Sequence, residues 1–132
     1  MKWMLCLLGV CLLGACQKNN TTEPTYSLAG RFTGDFHRSG LDTVQVTLLF
    51  KTDGGFEASG GRQYYPALCN GTYQRQGNQL VVDDSCAWTA NFDWSLIFDG
   101  TYDLQFLDAN KIRIRRTQGS VTDEYNLYRL LR

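Results

Sequence analysis

At 132 residues the chain has room for a single domain, and its 43% hydrophobic and 20% charged residues exclude a disordered main body. The 13 basic and 13 acidic residues cancel, so no net field recruits nucleic acid or an anionic membrane surface.

Residues 1–15 read as a leader. Lys2 supplies a positive start, and the apolar stretch from Trp3 to Leu13 closes on the small residues Gly14 and Ala15. A stretch of this length is too short to cross a bilayer core, which takes ~20 helical residues. Leu13-Gly14-Ala15-Cys16 resembles the lipobox of bacterial lipoproteins, in which the cysteine is diacylated after cleavage. That resemblance implies a lipid anchor of palmitate type on Cys16 and a place in the cell envelope. By resemblance to lipoprotein sorting signals, Gln17 and the absence of an acidic run behind it imply the outer membrane, the domain facing the periplasm, with surface display as the other arrangement. Residues 16–27 are polar and read as a flexible tether. Residues 28–132 form the domain.

Cys6 and Cys11 leave with the leader and Cys16 carries lipid, so Cys69 and Cys86 remain as an even pair in an oxidising compartment. A disulfide is expected. No second Cys/His pair accompanies them to hold zinc, and the sole histidine is His37.

From Leu28 onward the hydrophobic period is two. Phe32, Gly34 and Phe36 alternate with Arg31, Thr33 and Asp35, and the same alternation runs through Val44–Phe50, Phe56/Ala58, Leu80/Val82, Leu96/Phe98, Leu104/Phe106, Ile112/Ile114 and Tyr125/Leu127. Turn chemistry at Ser39-Gly40, Asp53-Gly54-Gly55, Gln76-Gly77-Asn78, Asp108-Ala109-Asn110 and Gln118-Gly119-Ser120 separates the runs. Gly100 falls inside a run from Trp94 to Leu107 and reads as a bulge or bend. An all-β fold follows: a small antiparallel up-and-down barrel of about eight strands, with a flattened sandwich as the alternative.

Leu28-Ala29-Gly30-Arg31-Phe32, Tyr65 to Tyr73 and Cys86 to Trp94 resemble the small lipocalin-like lipoproteins of Bacteroides-type bacteria. The resemblance implies a compact antiparallel barrel without an assigned activity. It also implies that Arg116 stacks on Phe32, as in a lipocalin-type closure; the Gly-x-Trp of true lipocalins stands here as Gly30-Arg31-Phe32.

Candidate chemistry concentrates around the cysteine pair. Tyr64, Tyr65, Trp88, Phe92 and Trp94 gather aromatic surface there, with Asn91 and Asp93 as polar handles, suited to a small apolar ligand, a glycan or a protein partner. The same rings also suit a plug for one end of the barrel. Arg113 and Arg115 share a face opposite Ile112 and Ile114, a solvated stripe with partners such as Asp103 or Glu124. Catalysis finds no footing: His37 and Asp35 lack a nucleophile, and adjacent Asp83 and Asp84 face opposite ways. No cofactor or metal is called for. Asp42-Thr43-Val44 resembles an O-glycosylation motif of exported proteins, placing a candidate sugar on Thr43. The expectation is a non-enzymatic envelope lipoprotein binding a small apolar or glycan ligand at the aromatic end. The rival is a protein-interaction module such as an inhibitor of a cell-wall-degrading enzyme. Small lipidated lysozyme inhibitors carry a Ser-Gly-x-x-Tyr loop, which Ser59-Gly60-Gly61-Arg62-Gln63-Tyr64 approximates with one residue more.

Overall fold

The computed structural model describes residues 25–132; the expected leader, Cys16 and the tether up to residue 24 lie outside the described residues. Eight strands follow in order: β1 Gly30–Arg38, β2 Thr43–Phe50, β3 Gly55–Gly60, β4 Asn70–Gln76, β5 Gln79–Asp84, β6 Gly100–Asp108, β7 Lys111–Gln118 and β8 Val121–Arg129. Each pairs antiparallel with the next, and β8 returns to β1, giving a closed up-and-down barrel. The lipocalin-like barrel is therefore the architecture, and closure removes the sandwich.

Strand direction sorts the connections. Turns 51–54, 77–78 and 109–110 share one end with both termini of the described chain, here called the tether end. Turns 39–42 and 119–120 share the distal end with two longer connections, 61–69 and 85–99.

Period two does the packing. On β1, Phe32 and Phe36 point inward with Gly34 between them, and β8 answers with Tyr125 and Leu127. Gly34 is required by close approach: a Cβ there would stand 2.0 Å from the Asn126 carbonyl oxygen across the β1–β8 seam. Rings fill the centre. Phe36 and Tyr125 centroids are 4.7 Å apart, Phe98 and Tyr125 5.2 Å, and Phe56 and Phe98 5.5 Å. Each fully buried ring contributes about 1.5–3 kcal/mol of transfer free energy. These side chains occupy the barrel interior. Burial accordingly pushes the Tyr102 and Tyr125 phenols well above their ordinary value.

An inward arginine seals each end. At the tether end Arg129 lies over the Phe32 ring, 4.5 Å from its centroid, and donates to the Ala29 and Ser27 carbonyls at 2.6 Å each. Tyr26 packs on Phe106 at 5.5 Å. The expected Arg116–Phe32 stack is corrected by these contacts. Phe32 opens β1 at the tether end and is in register with Arg129, whereas Arg116 nears the distal end of β7 and lies over Tyr102 at 4.5 Å.

A second correction concerns Gly100. It begins β6 at φ +97° rather than bending a continuous strand, and the stretch before it is a 3-10 turn, Trp94–Leu96. Asp93 caps that turn, accepting from the Ser95 N–H at 3.0 Å. Arg38 and Arg116 take the Ser95 carbonyl, at 3.1 and 2.9 Å, that a strand ladder would have used.

The Arg113–Arg115 stripe is a solvated face. Both arginines stand 3.7 Å from Glu124, and Asp103 is in register with Arg115. Alternation likewise leaves His37 exposed, Asp83 outward and Asp84 half-buried.

Candidate functional site

The distal end is built from connections 61–69 and 85–99, which are tied to each other in two ways. Ala67 N–H donates to Leu96 O at 3.0 Å and Phe98 N–H to Ala67 O at 3.1 Å, a short parallel bridge. Cys69 and Cys86 sit at disulfide distance, with Cα atoms 6.3 Å apart. Asp84 and these two cysteines form the one group of three metal-capable side chains among the described residues, and the bridge consumes two of them.

Beneath the connections runs a polar girder that sequence reading overlooked. Arg38 and Asp123 are the buried charged residues among those described, 5% and 4% exposed. Arg38 Nε donates to Asp123 Oδ1 at 2.6 Å and its Nη2 to Oδ2 at 2.8 Å, a two-point fork. The remaining guanidinium nitrogen reaches upward to Asp93 Oδ2 at 2.9 Å and Ser95 Oγ at 3.0 Å. Arg116 joins from β7, 3.6 Å from Asp123. The hydrogen bond to Asp123 raises Arg38 above its ordinary value. Ser95, donating from its side chain, holds the Asp93 carboxyl below the ordinary range, with further pull from its own backbone and from Arg38. A signal was present: Arg38 and Asp123 fall on the inward phase of β1 and β8, where only apolar residues were expected.

The five candidate aromatics divide. Tyr65 turns into the barrel, packs edge-on against Phe36 at 5.3 Å and donates its hydroxyl to Asp42 O at 2.6 Å. It plugs, together with Phe98, which the alternation at Leu96/Phe98 marks only as a strand residue. Tyr64, Trp88, Phe92 and Trp94 gather outside. Tyr64 and Phe92 stack at 4.3 Å and 7°, Trp88 meets Phe92 at 5.7 Å, and Trp94 lies 6.2 Å beyond. Tyr64 is held at φ +59°, in the left-handed region that non-glycine residues rarely occupy. Such strain persists where the surroundings impose it. Here a tight turn imposes it, with Arg62 and Tyr65 exchanging backbone hydrogen bonds of 3.0 and 2.9 Å.

Clefts open on both sides of Trp88. One, about 350 Å³, lies between it and the Ser59–Tyr64 turn. The other, about 390 Å³, lies between Trp88 and Trp94, with Asp84, Asp99, Arg116 and Gln118 along its walls. The Trp88 indole N–H donates to Asp84, whose carboxyl burial pushes up against that pull. Trp94 is the most open ring of the group, 55% exposed, its N–H spent on Ala90 O at 3.1 Å. Asn91 is exposed in the 85–99 connection, and Thr43 is exposed at the distal start of β2. The charge is uneven: Asp42, Asp83, Asp84, Asp93, Asp99 and Asp123 at this end face only Arg38, Arg62 and Arg116. Chemically this is an aromatic shelf with polar walls.

Comparison with protein-family models, with curated proteins and with solved structures returned no match.

Proposed function

We propose that this chain is a non-enzymatic, lipid-anchored envelope protein that binds a small ligand on the aromatic shelf of its distal end. One observation carries the reading: Trp88 and Trp94 flank an open cleft with polar walls, while the barrel interior is full. A filled interior leaves the surface as the place for a ligand. Aromatic faces beside carboxylates and a guanidinium suit a glycan, whose rings offer C–H faces and hydroxyls together, better than a wholly apolar molecule.

Cleavage before Cys16 and acylation there supply the anchor in this reading, with the outer membrane as the location. The tether joins the domain opposite the shelf, so an anchored barrel presents the shelf away from its own membrane. A second reading, a protein partner such as a cell-wall-degrading enzyme, draws on the excess of aspartates at the same end, which favours a basic partner. Trp94 would then be the anchor of that interface.

Trp94→Ala separates binding from folding, because so open a ring contributes little to stability. The expected outcome is loss of ligand retained in native mass spectrometry of envelope-purified protein, with the melting curve unchanged. Retention of the same ligand by the variant removes the shelf as the site. A purified complex with a basic protein in place of a small molecule selects the second reading.

A further inference from the structure

The neutral total charge hides a division between the two ends. Arg31, Lys51, Arg75, Lys111, Arg129 and Arg132 lie toward the tether end, against Asp53, Glu57 and Asp108. Four of the seven exposed large apolar side chains among the described residues lie there too, with Leu41, Trp94 and Val121 at the distal end. Leu107, Tyr128, Leu130 and Leu131 are 38%, 53%, 47% and 73% exposed. Leu107 on β6 and Tyr128 on β8 lie on either side of β7, and Leu130 and Leu131 follow the end of β8. Tyr128 is in register with Lys111 across β7 and β8, the Lys111 ammonium lies 5.2 Å from its ring centroid, and Leu107 occupies the irregularity between Phe106 and Asp108 on β6. Leu130 continues the outward phase of β8 beyond Tyr128, held by its N–H on Arg31 O at 2.8 Å. The result is an apolar rim with an aromatic residue and scattered cations, the composition that settles at a bilayer interface.

We propose that this rim docks on a phospholipid surface carrying anionic headgroups, standing the barrel upright on its membrane. The proposal rests on the lipid-anchor reading. Between Cys16 and Thr25 the chain spans at most on the order of 30 Å when extended, at ~3.3–3.6 Å per residue. The described chain starts at the rim itself, so an anchored Cys16 keeps the rim close to the bilayer. A short flexible linker raises the local concentration of the tethered surface to about the millimolar range. Contacts too weak to recruit a free domain therefore suffice for a tethered one. Each cation near an anionic surface adds about 1 kcal/mol, reduced by salt. The distal end, with its surplus of aspartates, is repelled by the same surface. The charge division thus selects one orientation. Upright docking holds Trp88 and Trp94 clear of the headgroups by about 20 Å, given strands rising ~3.3 Å per residue at a tilt of roughly 40°.

Trp88 and Trp94, the tryptophans that remain once the leader carrying Trp3 is cleaved, make this measurable. The full chain, expressed in a bacterium and reconstituted into phosphatidylethanolamine–phosphatidylglycerol vesicles containing a brominated phospholipid, reports which end meets the bilayer. Native Trp88 and Trp94 emission is expected to be unquenched. A Tyr128→Trp variant carrying Trp88→Phe and Trp94→Phe is expected to be strongly quenched, and Leu131→Asp or high salt should remove that quenching. Intact mass of the same sample shows whether acyl chains are present. An acylated chain with residue 128 unquenched overturns the docking and leaves the anchor standing. A chain without acyl mass overturns the anchor and the tethered docking together. Dimers in the vesicle-free sample, with residue 128 shielded by a second copy, also overturn the lipid surface as occupant.

Discussion

The two ends of this barrel are closed by the same device used to different effect. At the tether end Arg129 lies over Phe32 and spends its donors on the backbone carbonyls of Ser27 and Ala29, so a neutral segment of chain is the lid. At the distal end Arg38 is forked onto Asp123 and reaches past it to Asp93 and Ser95 in the 85–99 connection. The first arrangement needs only tight turns and a terminal strap. The second holds two long connections in place over a filled core, and it leaves Tyr64, Trp88, Phe92 and Trp94 outside that core. Sealing is thus separable from display. The closure at the tether end carries no aromatic shelf, whereas the distal closure supports one.

Asp123→Ala tests that separation most severely. It strips a buried guanidinium of its forked partner, and breaking one side of a buried pair costs about 3–5 kcal/mol. Asp93 and Ser95 continue to hold Arg38, which sets the expectation at the low end, and the melting temperature should fall by roughly 15 °C for a domain of this size. Asp103→Ala, on the solvated face, should change stability by less than about 0.5 kcal/mol. Equal shifts for the two would show that the girder bears no special share.

Cys69→Ser comes next. The bridge spans a sequence separation of 17, which in the chain-entropy model contributes about 3 kcal/mol. Its loss should be felt first by the connections it joins. Amide exchange is expected to quicken through 61–69 and 85–99 while β1, β7 and β8 stay protected. Uniform quickening around the barrel would show that the distal end is not a unit distinct from the sheet.

Much of this was legible in the residues because alternation is a local property. The turn pairs at Ser39-Gly40, Asp53-Gly54, Gly77-Asn78 and Gly119-Ser120 needed only their own chemistry, and the inward phase followed from Phe32, Leu48, Ile112 and Leu127. The distal end was harder. Its connections take their shape from contacts made across the barrel. Arg38 to Asp123 spans 85 positions in the chain, and nothing near either residue announces the other. The 3-10 turn over Trp94–Leu96 was read as strand because its apolar spacing mimics alternation, while its true cause is the Asp93 cap and two distant arginines. The aromatic candidates were found by composition, yet composition could not divide Tyr65, which plugs, from Tyr64, which does not.

Acid exposes the finest difference within the distal end, because Asp93 and Asp84 titrate in opposite senses there. Ser95 and Arg38 hold the Asp93 carboxyl below its ordinary value. Its contribution is therefore complete above the unfolded value of about 3.9 and is lost as pH falls through the lower folded value. Asp84 is raised, first by burial and then by Asp99 and Asp83, against the Trp88 and Cys86 hydrogen bonds. Its charged form burdens the fold at neutral pH, and the burden lifts as pH falls through the raised value. Each carboxylate has its own reporter. Trp88 donates to Asp84, and Trp94 opens the turn that Asp93 caps. With Trp94→Phe, the remaining Trp88 emission should change above the ordinary carboxylate value of about 3.9, as Asp84 takes its proton. With Trp88→Phe, Trp94 emission should hold steady there and change only below it, as the cap on Ser95 is lost. Asp93→Asn should abolish the second step and leave the first. One shared transition for both tryptophans would mean that the connection moves as a single rigid cap, with the girder and the shelf coupled rather than merely adjacent.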